Sequence, residues 1–187
     1  MNKVRRSLLT GMVLLAAALV APVHKAHADT ARQINQQVDQ ALRILYAKQP
    51  RARELSRHAK AILVFPKIIK AGLVIGAQGG DGALRVGGRT VGYYNIGAAS
   101  VGLQAGAQTF GYALFFMNDG ALKYLQESHG WSIGSGPSVV VVDKGAAASL
   151  TSTTLTQDVY AFPFDQRGLM AGIGLEGSKI SEIHPSP

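Results

Sequence analysis

The 187-residue chain has no cysteine. That excludes a disulfide framework, a thiolate metal site and lipid attachment at a cysteine. It also lacks a long apolar run: residues 8–21 form the most apolar stretch, broken by Thr10 and Gly11. That is short of the ~20 residues a spanning helix needs. Beyond Ala28, glycines and charges interrupt every apolar segment. Acidic residues are scarce, 11 against 19 Lys and Arg. Aromatic residues make up 7 % of the chain and do not interleave with its basic segment. Stacking platforms for nucleic acid need that interleaving, so nucleic-acid binding is not expected.

What the N-terminus does contain is a basic start (Lys3, Arg5, Arg6), the apolar stretch, and Ala26-His27-Ala28. This order reads as a secretory signal peptide over residues 1–28, cleaved between Ala28 and Asp29. Residues 29–187 then suffice for one domain with a substantial core. The expected location is exported, periplasmic, and peripheral to the membrane.

Charge is unevenly spread. Residues 29–70 carry nine cations and three anions, a net of +6, whereas residues 71–187 carry six cations and eight anions, a net of −2. A basic N-terminal third on a near-neutral body suggests an anionic partner at one end. Thr30-Ala31-Arg32-Gln33 has the form of a capping box that starts a helix. Ile34, Val38, Leu42 and Leu45 follow at spacings that make one apolar stripe, on a helix ending near Ala47. Such a stripe packs on a core or lies in a lipid interface, and the pattern fits either. Pro50 starts a second helix, expected over residues 51–60, with Arg51, Arg53, Arg57 and Lys60 mostly outward.

Ile62-Leu63-Val64-Phe65 reads as a short buried strand ended by Pro66. A second strand is expected over residues 71–78, with Gly80-Asp81-Gly82 turning it back. Further period-two alternation occurs over residues 101–108 and 169–176. Turn signals fall at Gly87-Gly88, Asn118-Asp119-Gly120, Asp143-Lys144-Gly145 and residues 165–168, with one helix over residues 121–128. The expected fold is α+β. An antiparallel, strongly curved β-sheet sandwich or partly closed barrel has N-terminal helices packed against it. Glycines repeated on one strand face, such as Gly72 with Gly76, mark sharp bending or close approach of another layer.

Catalytic motifs do not hold up. Gly130-Trp131-Ser132-Ile133-Gly134 has the spacing of a nucleophile elbow, but that device needs a strand before the serine and a helix after it, and here the order is reversed. Gly172-Ile173-Gly174-Leu175-Glu176-Gly177 matches a dinucleotide fingerprint, yet only ten residues follow it, too few for the required helix and acid. His58, His129 and His184 have no partner at ligand spacing, so no metal is expected. No cofactor is implied.

Several ordered motifs together carry a family resemblance. They are Ala61-Ile62-Leu63-Val64-Phe65-Pro66-Lys67 with Lys70-Ala71-Gly72, Gly79-Gly80-Asp81-Gly82, residues 100–108, Phe115-Phe116-Met117-Asn118, and residues 168–177. Over residues 34–183 the chain resembles the SYLF-domain family. The resemblance implies a non-catalytic lipid-binding domain, an exported bacterial relative of proteins that bind phosphoinositide membranes. Anionic phospholipid or a phosphoinositide-like head group is the implied partner. Actin and SH3 partners are not expected, because the chain carries no such module and reads as exported. Lys67 and Lys70 lie within the resembling stretch and are the first candidates for head-group contact. Arg51, Arg53, Arg57 and Lys60 stand beside them on charge grounds, and the Ile34, Val38, Leu42, Leu45 stripe is the candidate membrane-facing surface. The alternative is a structural or assembly protein of the envelope that docks a protein partner through its glycine-faced sheet.

Overall fold

The computed structural model describes residues 29–72, 75–101, 106–142, 156–168, 175 and 177–187. The signal-peptide reading, the 143–145 turn, most of the 169–176 alternation and part of that over 101–108 lie outside the described residues. Helices α1 (Ala31–Lys48) and α2 (Pro50–Leu55) come first. Strands β1 (Ala61–Gly72), β2 (Ile75–Val86), β3 (Arg89–Val101) and β4 (Gly106–Phe116) follow, then helix α3 (Asp119–Glu127). Strands β5 (Trp131–Ser132), β6 (Val139–Val141), β7 (Val159–Gly168) and β8 (Lys179–Ile183) complete the elements.

Among the described residues the strands belong to one eight-stranded sheet in the order β5-β8-β3-β2-β1-β4-β7-β6. Its two edges, β5 and β6, are joined by only six residues, 133–138. Those residues can span at most about 25 Å. Eight flat strands at ~4.8 Å spacing would hold the edges roughly 34 Å apart, so the sheet has to curl. The result is a half-barrel. Every described pairing is antiparallel except β6 with β7, which runs parallel and makes the sheet mixed.

Each face of the curled sheet has its own core. Leu63, Phe65, Ile68, Tyr112 and Leu114 point to the concave side, where Leu125 of α3 and Trp131 fill the interior. Val64, Ala83, Phe115 and Phe162 point to the convex side, where α1 and α2 lie. The predicted capping box is present: Gln33 N donates to Thr30 Oγ1 at 3.3 Å and Thr30 N to Gln33 Oε1 at 2.8 Å. Helix α1 then crosses the sheet. Asn35 Nδ2 donates to the Tyr93 hydroxyl on β3 at 2.8 Å, and Gln49 Nε2 to the Pro163 carbonyl on β7 at 2.9 Å.

Several local expectations are corrected. β1 does not stop at Pro66 but runs through it to Gly72, because the register shifts between Phe65 and Ile68. A bulge leaves one residue out of the ladder, which is where a strand tolerates proline. The strand expected over residues 71–78 therefore straddles the β1–β2 hairpin. Gly80-Asp81-Gly82 is mid-strand rather than a turn; a Cβ at Gly82 would collide with the Val64 carbonyl, so glycine lets β1 and β2 approach. Residues 165–168 lie within β7, with Asp165 at φ 48° beside a register shift on β4. Asn118 is the cap of α3, accepting from Ala121 N at 2.8 Å. Helix α2 ends at Leu55 rather than near residue 60. Gly87-Gly88 is a turn as expected, both with positive φ.

Candidate functional site

The six candidate cations do not form one cluster. Arg51, Arg53, Arg57 and Lys60 sit on α2 and the loop that enters β1, whereas Lys67 and Lys70 lie at the opposite end of β1. Seven residues of strand separate Lys60 from Lys67, about 23 Å at ~3.3 Å per residue. Nor do Lys67 and Lys70 share a side, as a helical stretch between them would require. Lys67 is exposed and lines a convex-side groove with Ile69. Lys70 alternates with Ile69 and shares the parity of Ile68, whose side chain is in the concave core, so it points to the other face.

Two grooves flank α1 on the convex side. The first, about 560 Å³, is lined by Leu42, Tyr46, Ser56, Arg57, Lys60 and Arg85 among others, and Asp39 is its one acidic lining residue. Arg85 is the most fixed of these cations: Nη2 donates to Asp39 Oδ1 at 2.7 Å and to the Asn35 carbonyl at 3.3 Å. Burial pushes the Tyr46 hydroxyl above its ordinary pKa, against the opposing pull of the Ser56 hydrogen bond and Arg53. Arg51 pairs with Glu54 at 2.7 Å and Lys60 with Asp119 at 3.6 Å. Both are solvent-exposed pairs of the kind that contribute ~0–1 kcal/mol. They leave the charges available.

The second groove, about 630 Å³, contains Lys67 together with Asp29, Asp81 and Asp165. These carboxylates are engaged already. Asp165 takes Lys48 at 3.3 Å and Arg167 at 3.1 Å, Asp81 accepts from Asn95 at 2.7 Å, and Asp29 accepts from Gln37 at 3.0 Å. Burial alone would raise the Asp165 pKa, but Lys48 and Arg167 outweigh it and hold the carboxyl below its ordinary value.

The stripe on α1 faces the sheet. Ile34, Val38 and Leu45 are buried in the convex core and Leu42 packs against it. Ser132 occupies β5, its carbonyl accepting from Ser135 N at 3.1 Å. Asp158 is committed to structure, accepting from Ser138 N at 2.8 Å and Asn118 Nδ2 at 2.7 Å. Among the described residues no three His, Asp or Glu side chains are grouped to hold a metal, and no helix is long and apolar enough to cross a membrane.

Sequence reading missed Arg85, Arg167 and the exposed apolar residues near Lys67. Ile69 is 50 % exposed and Ile75 72 %. The available signal was the alternation Ile69, Ala71, Ile75, Ala77, which a misplaced strand boundary concealed.

The whole is a curled α+β half-barrel with a helix clamped on its convex face and basic side chains around that helix. The model of the family described as Ysc84: Las17-binding protein actin regulator matches residues 97–185. The match is consistent with a SYLF-domain family member, the resemblance that the chain's motifs carry. That family is one of non-enzymatic binding domains associated with lipid binding and actin regulation. The match begins within β3, so the six candidate cations lie outside it. No curated protein matches the chain.

Proposed function

We propose that this chain is a non-catalytic peripheral membrane protein that binds anionic lipid head groups through basic side chains. The observation that carries the reading is the state of the cations along α2 and β1. Lys67, Arg53 and Arg57 are exposed, and the ion pairs of Arg51 and Lys60 are themselves at the surface. Each cation near an anionic surface contributes about 1 kcal/mol, within a Debye length. Removal of residues 1–28 during export would present this surface to the anionic phospholipid of the cell envelope. An exported protein meets no actin, so the lipid side of the family's repertoire is the one that applies.

Flotation with phosphatidylglycerol vesicles tests the reading. Lys67→Glu should weaken binding about tenfold or more, since ~1 kcal/mol is removed and then inverted, whereas Lys70→Glu on the concave face should change it less. Phosphatidylcholine vesicles should bind little in either case, and rising salt should release the wild type. A folded Lys67→Glu variant that floats with phosphatidylglycerol as the wild type does would exclude Lys67 as the contact.

A further inference from the structure

Beside α1, past the groove that holds Lys67, the register of four strands sorts side chains by face. Ala99, Ala77, Ala71 and Ala107 stand directly opposite one another across β3, β2, β1 and β4. All four are exposed. One row toward α1 on the same face is Ile69, and one row toward the tip is Ile75. Directly opposite residues share a face and successive residues alternate, so this row lies on the convex side with Lys67. The concave row between them reads Ala98, Gln78, Lys70 and Gln108. This end of the sheet is thus apolar outward and polar inward. A sheet end surrounded by water would have the opposite order, and a sheet face against lipid has this one.

Resting on the lipid-binding reading, we propose that this convex shelf lies in the surface layer of an anionic bilayer, with Ile69 and Ile75 entering it. Four alanines make a low apolar floor, and the two isoleucines project on either side of it. Basic side chains edge the shelf. Lys67 is exposed on the same face, and Arg167 stands opposite Thr109 in the Ile69 row. Arg167 shares its charge with Asp165 at 3.1 Å, so Lys67 is the edge cation that complements anionic lipid beside the apolar floor. A two-fold pairing of shelves between copies of the chain would bring those cations toward their own equivalents.

The absence of cysteine makes the test direct, because one introduced thiol is the only site of labelling. An environment-sensitive fluorophore on Ile75→Cys should shift to the blue when phosphatidylglycerol vesicles are added, and the same label on Glu127→Cys, exposed on α3, should not. Ile69→Asp with Ile75→Asp should weaken flotation at least tenfold while the melting temperature stays that of the wild type. A wild type that floats, with a double variant that floats equally and a silent label at residue 75, would overturn the shelf and leave the lipid reading standing. A wild type that binds no anionic vesicle would overturn both. If light scattering shows a wild-type dimer that the double variant renders monomeric, the shelf is a contact between copies and the proposal falls.

Discussion

Replacing Leu45 by alanine truncates a side chain of α1 that is 0 % exposed and belongs to the convex core. Truncation of a buried leucine costs 2–5 kcal/mol, the lower end where the surroundings collapse into the space. Here collapse is restricted, because α1 is held at Asn35 to Tyr93 and at Gln49 to Pro163. A loss of about 3 kcal/mol follows. For a domain of this size each kcal/mol moves the midpoint by roughly 2–4 °C, so the melting temperature should fall by about 6–12 °C. Below the transition, binding to phosphatidylglycerol vesicles per folded molecule should be unchanged. The assay pairs thermal denaturation by circular dichroism with vesicle flotation at low temperature. A variant that melts as the wild type does but loses vesicle binding would refute the packing account. The stripe of Ile34, Val38, Leu42 and Leu45 would then be acting in a membrane.

Two further outcomes are expected. Hydrogen bonds from the Ser138 amide, Asn118 and the Ser138 hydroxyl hold the Asp158 carboxyl below its ordinary pKa. Its stabilising effect is therefore complete above the unfolded value near ~4 and is lost as pH falls through the lower folded value. Asp158→Ala should cost about 1 kcal/mol or less in urea denaturation at neutral pH, because solvent screens its hydrogen bonds, with the gap to wild type closing below about pH 4. A gap that persists unchanged in acid would show that the carboxylate is not its source. Gln108 is 2 % exposed and neither amide atom has a hydrogen-bond partner. Gln108→Met should raise stability by about 1 kcal/mol, since an unsatisfied buried amide is exchanged for an apolar chain of similar length; a loss of that size in the same measurement would refute it.

Local chemistry made much of this protein legible in its sequence. The Thr30–Gln33 capping box, the α1 stripe, the proline start of α2, the Gly87-Gly88 turn and a helix near residues 121–128 each depend on residues within a few positions of one another. The same holds for the α+β class, whereas the period-two segments over 101–108 and 169–176 lie largely outside the described residues. Tertiary structure decided what neighbours cannot. Pro66 signals an end, yet a register shift shared with β4 carries β1 through it. Gly80-Asp81-Gly82 reads as a turn, yet the approach of the Val64 carbonyl makes it a place where strands pack. The parallel pairing of β6 with β7 is likewise invisible to a pattern of alternation.

For the candidate site the division is sharper. Net charge and its concentration before residue 71 follow from composition alone. Whether six cations make one surface depends on how far a strand carries them apart and on which side the pleat turns each one. That geometry separates Arg51, Arg53, Arg57 and Lys60 from Lys67 and sends Lys70 to the concave face. It also sets four alanines from four strands in one row, a surface that exists only once the register of the sheet is fixed.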